Sequence, residues 1–190
     1  MKLRIAVLAG MLSSIGATSG LGQKGNERVV TVYVVGGVQV PLAIRSAGQG
    51  IASAIFREIG VRIGWRHRRP SADDVHREQA LVIEIVDAPA PYRRPTLAAA
   101  MPYGGSAVKV YFGSIRWAEA RPILAPRLFG HVLAHEIAHM LQQLDYHAAT
   151  GILKAQWTGA DYNQMERAPL RFEAPDIELI HRGLDARAAH

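Results

Sequence analysis

Residues 135–139 read His-Glu-Ile-Ala-His, residue types and a spacing suited to holding a metal ion. His135 and His139 are four apart, so on a helix their rings share a face with Cβ atoms about 6 Å apart. That separation lets two imidazoles converge on one zinc ion at about 2.0 Å. Glu136 is rotated by about 100° from His135; it is badly placed to ligate and well placed to reach a water on the metal. Its expected role is general base and then proton shuttle. Two histidines leave a catalytic zinc one protein ligand short. The chain has no cysteine, which excludes disulfides, zinc-thiolate sites and a thiol nucleophile, and leaves His, Asp and Glu as the metal's partners.

Such residues need a helix to present them. Pro122 and Pro126 precede a segment from Arg127 to Leu144 in which Phe129, Val132, Leu133, Ile137, Met140, Leu141 and Leu144 recur at three- and four-residue spacing. This predicts a buried helix with the prolines at its start. His131, one turn before His135, extends the same face and reads as a supporting or surface residue. Upstream, Val29 to Val35 and Val61 to Trp65 read as strands flanking a helix that Gly60 closes, and Ala80 to Val86 as a third strand. Leu97 to Tyr103 and Ala107 to Phe112 read as a hairpin whose first arm is held at a sheet edge by Pro102, which cannot donate to a neighbour. Near the C-terminus Ile177, Leu179, Ile180 and Leu184 predict one more short helix. The expected fold class is α+β: a twisted mixed β-sheet of four to five strands with an edge antiparallel strand, a backing helix and a zinc-binding active-site helix.

Length and composition, 190 residues with 49% hydrophobic content, allow one sizeable core. Lys2 and Arg4 precede an apolar run from Ile5 to Leu12 and then small residues around Ala17. This is the layout of a signal peptide over residues 1–20, followed by a single domain over 21–190, exported and either secreted or periplasmic. No stable membrane insertion is expected once the leader is removed, and a monomer is expected. The formal charge of +6 raises nucleic acid or another anionic polymer as a partner. The cations are scattered, however, and Arg66-His67-Arg68-Arg69 is soon followed by Asp73-Asp74, so a solvated loop is favoured and no nucleic acid is expected.

With a strand, a helix and further strands ahead of it, the stretch from His135 to Leu153 resembles the metzincin clan of zinc peptidases. The clan's pattern is H-E-x-x-H-x-x-G-x-x-H followed by a methionine-containing turn, here matched by His135, Glu136, His139 and Gly151-Ile152-Leu153. The residues HAATGIL are also similar to an H-S-x-x-G-I-M stretch in exported bacterial metzincin-like proteins. The likeness runs from about Val29 to Trp157. It departs from the pattern at Gln142 in place of glycine, Asp145 in place of the third histidine and Leu153 in place of the turn methionine.

The resemblance implies a zinc-dependent endopeptidase with one catalytic Zn2+, acting on a peptide or protein through a metal-activated water with Glu136 as general base. For the third ligand it favours His147, because without glycine at 142 or 143 the helix runs further before breaking. Asp145 is the runner-up, or an orienting partner of His147, and Asp161, Glu166 and Glu173 are more distant candidates. Leu153 stands as the turn equivalent, an apolar floor of similar volume to methionine. Tyr146 and Tyr162 are near enough in sequence to be weighed as oxyanion donors but read as packing residues, and Trp157 reads as core. The substrate lies as an added strand along Leu97, Ala99 and Met101. The alternative is a noncatalytic zinc-stabilised secreted binding protein of the same fold, against which the presence of Glu136 argues.

Overall fold

Valines dominate Arg28–Val35, and this segment, β1, lies inside a five-stranded sheet. The computed structural model describes residues 28–77, 80–87, 97–100 and 107–189; the leader read at residues 1–20, and Met101 and Pro102 of the edge arm, lie outside the described residues. The remaining strands are β2 (Val61–Arg66), β3 (Leu81–Val86), β4 (Ala98–Ala100) and β5 (Ala107–Tyr111). Their spatial order is β2-β1-β3-β5-β4. Strands β1, β2, β3 and β5 run parallel. At the rim, β4 pairs antiparallel with β5 through Ala98↔Val110, Ala99↔Lys109 and Ala100↔Val108.

Side chains alternate across a strand, so the register decides which residues share a face. Val30 lies opposite Ile63, and Val32 opposite Leu81. Together with Ile83, Ile85, Val108 and Val110 they form one buried face. The other face is more open, and Glu84 and Lys109 meet across it at 4.0 Å. Tyr33 is nonetheless fully buried there. Its hydroxyl accepts a hydrogen bond from Arg68 Nη2 at 3.1 Å, and the guanidinium lies 5.0 Å over its ring.

Arg68 is exposed on a loop, as expected of the basic cluster, and is tethered there. It grips Asp74 with two hydrogen bonds of 2.7 and 3.0 Å, and Asp74 belongs to a short helix, α2 (Ala72–Arg77). The Arg68 guanidinium holds that carboxyl well below the usual carboxylate range. The flanking Arg66, His67 and Arg69 are exposed as well.

Two long helices cover the buried face of the sheet: α1 (Leu42–Glu58) and, after a four-residue helix α3 (Phe112–Ile115) and a 3-10 turn at Arg116–Ala120, α4 (Leu124–Gln142). They cross at two glycines. A Cβ on Gly48 would lie 2.6 Å from Phe129 Cδ1, and one on Gly130 would lie 2.6 Å from the Gly48 carbonyl oxygen. This backbone-to-backbone approach lets α4 sink until Leu128, Phe129, Leu133, Ile137 and Leu141 are all buried. Burial of each such side chain contributes about 1.5–3 kcal/mol, so α4 is a rigid mount for whatever it carries. It begins three residues before Arg127, with Pro126 inside its first turn, where a missing N–H costs little.

Two helices complete the chain. The α5 helix (Gly159–Met165) was not expected, and α6 (Ala174–Ala188) is longer than the apolar residues alone implied. Each opens on a capping box, Thr158 with Asp161 and Glu173 with Asp176. Among the described residues no helix is long and apolar enough to cross a membrane.

Candidate metal centre

The two histidines of the pentad leave α4 one turn apart, and each is oriented from behind by a backbone carbonyl. His135 Nδ1 donates to the Ile152 carbonyl at 2.8 Å, and His139 Nδ1 to the Leu144 carbonyl at 3.1 Å. A carbonyl oxygen only accepts, so both Nδ1 atoms carry the proton and both Nε2 atoms carry a lone pair. Those Nε2 atoms face each other at 2.9 Å. The His147 ring completes the group, 5.4 Å from the His135 centroid and 4.8 Å from that of His139. One nitrogen from each of the three lies within 4.8 Å of the others.

The path that brings His147 there starts at the end of α4. The helix runs through Gln142, where the resembled pattern has glycine, and exits at Gln143, whose φ of 55° and ψ of 33° are left-handed. Gln143 N–H donates to the His139 carbonyl at 2.9 Å, closing the helix. The turn thus falls one residue late, and the third imidazole enters at 147 rather than the pattern's 145. The loop is then pinned twice: Ala148 N–H donates to the Leu153 carbonyl at 2.8 Å, and Ile152 N–H to the Arg171 carbonyl at 3.0 Å. Gly151 sits between at φ 74°, with the Arg171 carbonyl oxygen 2.5 Å from where a Cβ would stand. Only glycine fits there. Ile152 and Leu153 are both fully buried.

The other carboxylates weighed as ligands are engaged elsewhere or stand apart. Asp145 is exposed, its oxygen 3.9 Å from His147 Nδ1, beyond hydrogen-bond reach. Asp161 caps α5 through Thr158 N–H and Oγ1 and pairs with Lys154 at 2.7 Å. Glu166 pairs with Arg121 at 2.8 Å, and Glu173 accepts from Thr150 Oγ1 at 2.7 Å while capping α6. Tyr162 meets Trp117 edge-on at 5.4 Å, and Tyr146 is exposed on the loop.

Burial shapes the electrostatics. It is the main cause that pushes His135 down to about 3, with the neighbouring His139 adding to it, and it lowers His139 as well. Both rings are neutral near pH 7, the form that binds metals. Glu136 is 6% exposed and has no hydrogen-bond partner among the described residues. Burial, and then the charge of Asp145, pushes its carboxyl up to about 8. Lone pairs facing at 2.9 Å repel one another unless an electrophile lies between them. Three imidazoles and no thiolate, with the Glu136 carboxyl next to His135 in the chain, are a donor set that fits zinc and leaves a coordination position free.

His131 was the residue whose role the spacing did not reveal. It is fully buried rather than at the surface, and neither ring nitrogen is free for a metal. Nδ1 donates to the Arg127 carbonyl at 2.7 Å, and Nε2 accepts from Leu170 N–H at 2.9 Å. The sequence signal was a polar residue inside an otherwise apolar helix; its partner lies 39 residues away. Trp157 stands edge-on to both rings, 5.6 Å from His135 and 6.2 Å from His131.

At the sheet rim, the Leu97 carbonyl accepts from Tyr111 N–H at 2.9 Å, and among the described residues no strand pairs with the outer side of β4.

Neither a scan against protein-family models nor a search of curated proteins found a match. Among solved structures, the chain is similar to the crystal structure of archaemetzincin (amzA) from Methanopyrus kandleri, with a TM-score of 0.54 and 17% identity over 87% of this chain and 99% of that one. At that identity the likeness is one of architecture: sheet, backing helix and histidine-bearing helix together make an archaemetzincin-like fold.

Proposed function

We propose that this chain is a zinc-dependent endopeptidase in which His135, His139 and His147 hold one zinc ion and Glu136 is the general base. The observation that carries this reading is the convergence of the His135, His139 and His147 imidazoles on one point, with the buried Glu136 carboxyl adjacent to His135 in the chain. Zinc held there supplies a Lewis acid that acidifies water and polarises the scissile carbonyl.

The chain's own residues supply the rest. The Ile152 and Leu144 carbonyls hold the imidazoles in the ligating tautomer. Glu136 accepts a proton from the attacking water and hands it to the departing amine nitrogen. The peptide lies along β4, its main chain bonding to the outer edge at Ala98 and Ala100 rather than at Leu97 and Ala99, whose main-chain groups turn toward β5, with the Leu97 carbonyl taken by Tyr111 N–H; Met101 lies outside the described residues. Leu153 is the apolar floor of the turn beneath the ligands. The chain acts as a monomer after export, once residues 1–20 are removed.

The test is cleavage of casein or a mixed peptide library by the zinc-loaded protein and by Glu136→Gln. Loss of about 10²–10⁴ in rate with zinc still bound is expected of a missing general base. Zinc bound equally by both, with cleavage by neither, overturns the peptidase reading in favour of a binding protein.

A further inference from the structure

We propose that His131 is a positioning residue for the metal centre, setting the tautomer and aim of His135 through Leu170, Arg171 and Ile152. The inference rests on His135 being a zinc ligand and concerns what holds it in place.

A continuous set of short hydrogen bonds links the two histidines. His131 Nε2 accepts from Leu170 N–H at 2.9 Å. The next residue, Arg171, accepts through its carbonyl from Ile152 N–H at 3.0 Å. The Ile152 carbonyl accepts from His135 Nδ1 at 2.8 Å. Each link has a fixed polarity. Leu170 N–H only donates, so His131 Nε2 must hold a lone pair, and the Arg127 carbonyl behind Nδ1 requires a proton on that nitrogen. His131 is therefore locked in the same tautomer as His135, and it anchors to α4 the segment that positions the turn.

Two further observations point the same way. Gly151 lets the turn approach Arg171 so closely that a Cβ would stand 2.5 Å from its carbonyl oxygen, so the Ile152 link admits little slack. Trp157 stands edge-on to both His131 and His135, a rigid spacer between the anchor and the ligand. Without the Nε2 acceptor, Leu170 N–H is left unpaired in a buried place. Residues 170–171 then shift to find another partner, and the Ile152 carbonyl moves with them.

The full chain, metal-free and with zinc, tests this through His131→Phe, which removes the acceptor, and His131→Gln, whose Oε1 replaces Nε2 toward Leu170. The readouts are the His135 tautomer by ¹⁵N NMR and zinc affinity by competition with a chelator. Expected are a single Nδ1–H tautomer in the wild type, mixed tautomers and affinity about 10-fold weaker in H131F, and recovery to within about 3-fold of wild type in H131Q. An H131F protein with wild-type tautomer and affinity overturns the proposal. Should H131F not fold, amide exchange on the wild type decides: zinc is expected to slow the Ile152 and Leu170 amides together, and slowing at Ile152 alone overturns the link. A wild type that binds no zinc removes the metal reading, while the tautomer comparison in metal-free protein still decides the role of His131.

Discussion

His135 and His139 present unprotonated Nε2 atoms to each other at 2.9 Å, because the Ile152 and Leu144 carbonyls have claimed the protons of both rings on the far side. Metal-free, this pair is a repulsive contact inside a buried helix. A cation between the two rings turns the same geometry into stabilisation.

Zinc is therefore expected to stabilise the folded chain. At a free concentration about 1,000 times its Kd the gain is about 4 kcal/mol, which raises Tm by roughly 10 °C for a chain of this size. Thermal unfolding with zinc and with a chelator measures it. His147→Ala is expected to abolish most of the shift, whereas Asp145→Ala, at an exposed side chain 3.9 Å from His147, leaves it nearly intact. The reverse ranking would assign the third ligand to Asp145.

His131 makes stability depend on acid. Its folded value is pushed down to about 4 by burial, from an ordinary 6.5. Between those values the unfolded chain binds a proton that the folded chain refuses, so stability is lost as pH falls from 6.5 toward 4. The loss over that window is on the order of 3 kcal/mol. Comparing denaturant unfolding of metal-free wild type and His131→Gln at pH 7 and pH 4.5 isolates it, and an equal pH slope in both proteins would remove His131 as the source.

The helix exit offers a gain. Gln143 holds a left-handed φ of 55°, a conformation that costs a residue with a Cβ roughly 1–2 kcal/mol. Gln143→Gly relieves this strain but adds freedom to the unfolded chain. The expected net effect is stabilisation by about 0.5–1 kcal/mol with zinc affinity unchanged. A destabilised variant would show that the Gln143 side chain, rather than its backbone, matters to the exit.

The crossing of α1 and α4 tolerates no added atom at Gly130. Alanine there favours the isolated helix by about 1 kcal/mol, yet its Cβ meets the Gly48 carbonyl oxygen at 2.6 Å and Ile51 Cβ at 2.9 Å. Overpacking against backbone costs about 1–3 kcal/mol or more. Gly130→Ala should therefore lower Tm by several degrees, and an unchanged Tm would mean that the helices slide apart without cost.

What the sequence by itself determined was local. Histidines four apart on an apolar-striped segment share a helix face whatever surrounds them, and short β-branched runs bounded by glycine, such as Val29 to Val35, declare themselves as strands. The helix with its pentad and the main strands were legible for that reason. The tertiary structure decided the rest. Asp161 and Glu173 carry the same chemistry as a ligand and serve as helix caps, and Asp74 ties down Arg68 in the exposed basic loop. His147 reaches the other imidazoles through a left-handed Gln143 and through hydrogen bonds from Ala148 to Leu153 and from Ile152 to Arg171. Main-chain bonds between segments far apart in sequence set that path, and they involve N–H and C=O groups that nearly every residue has, so residue types alone do not disclose it.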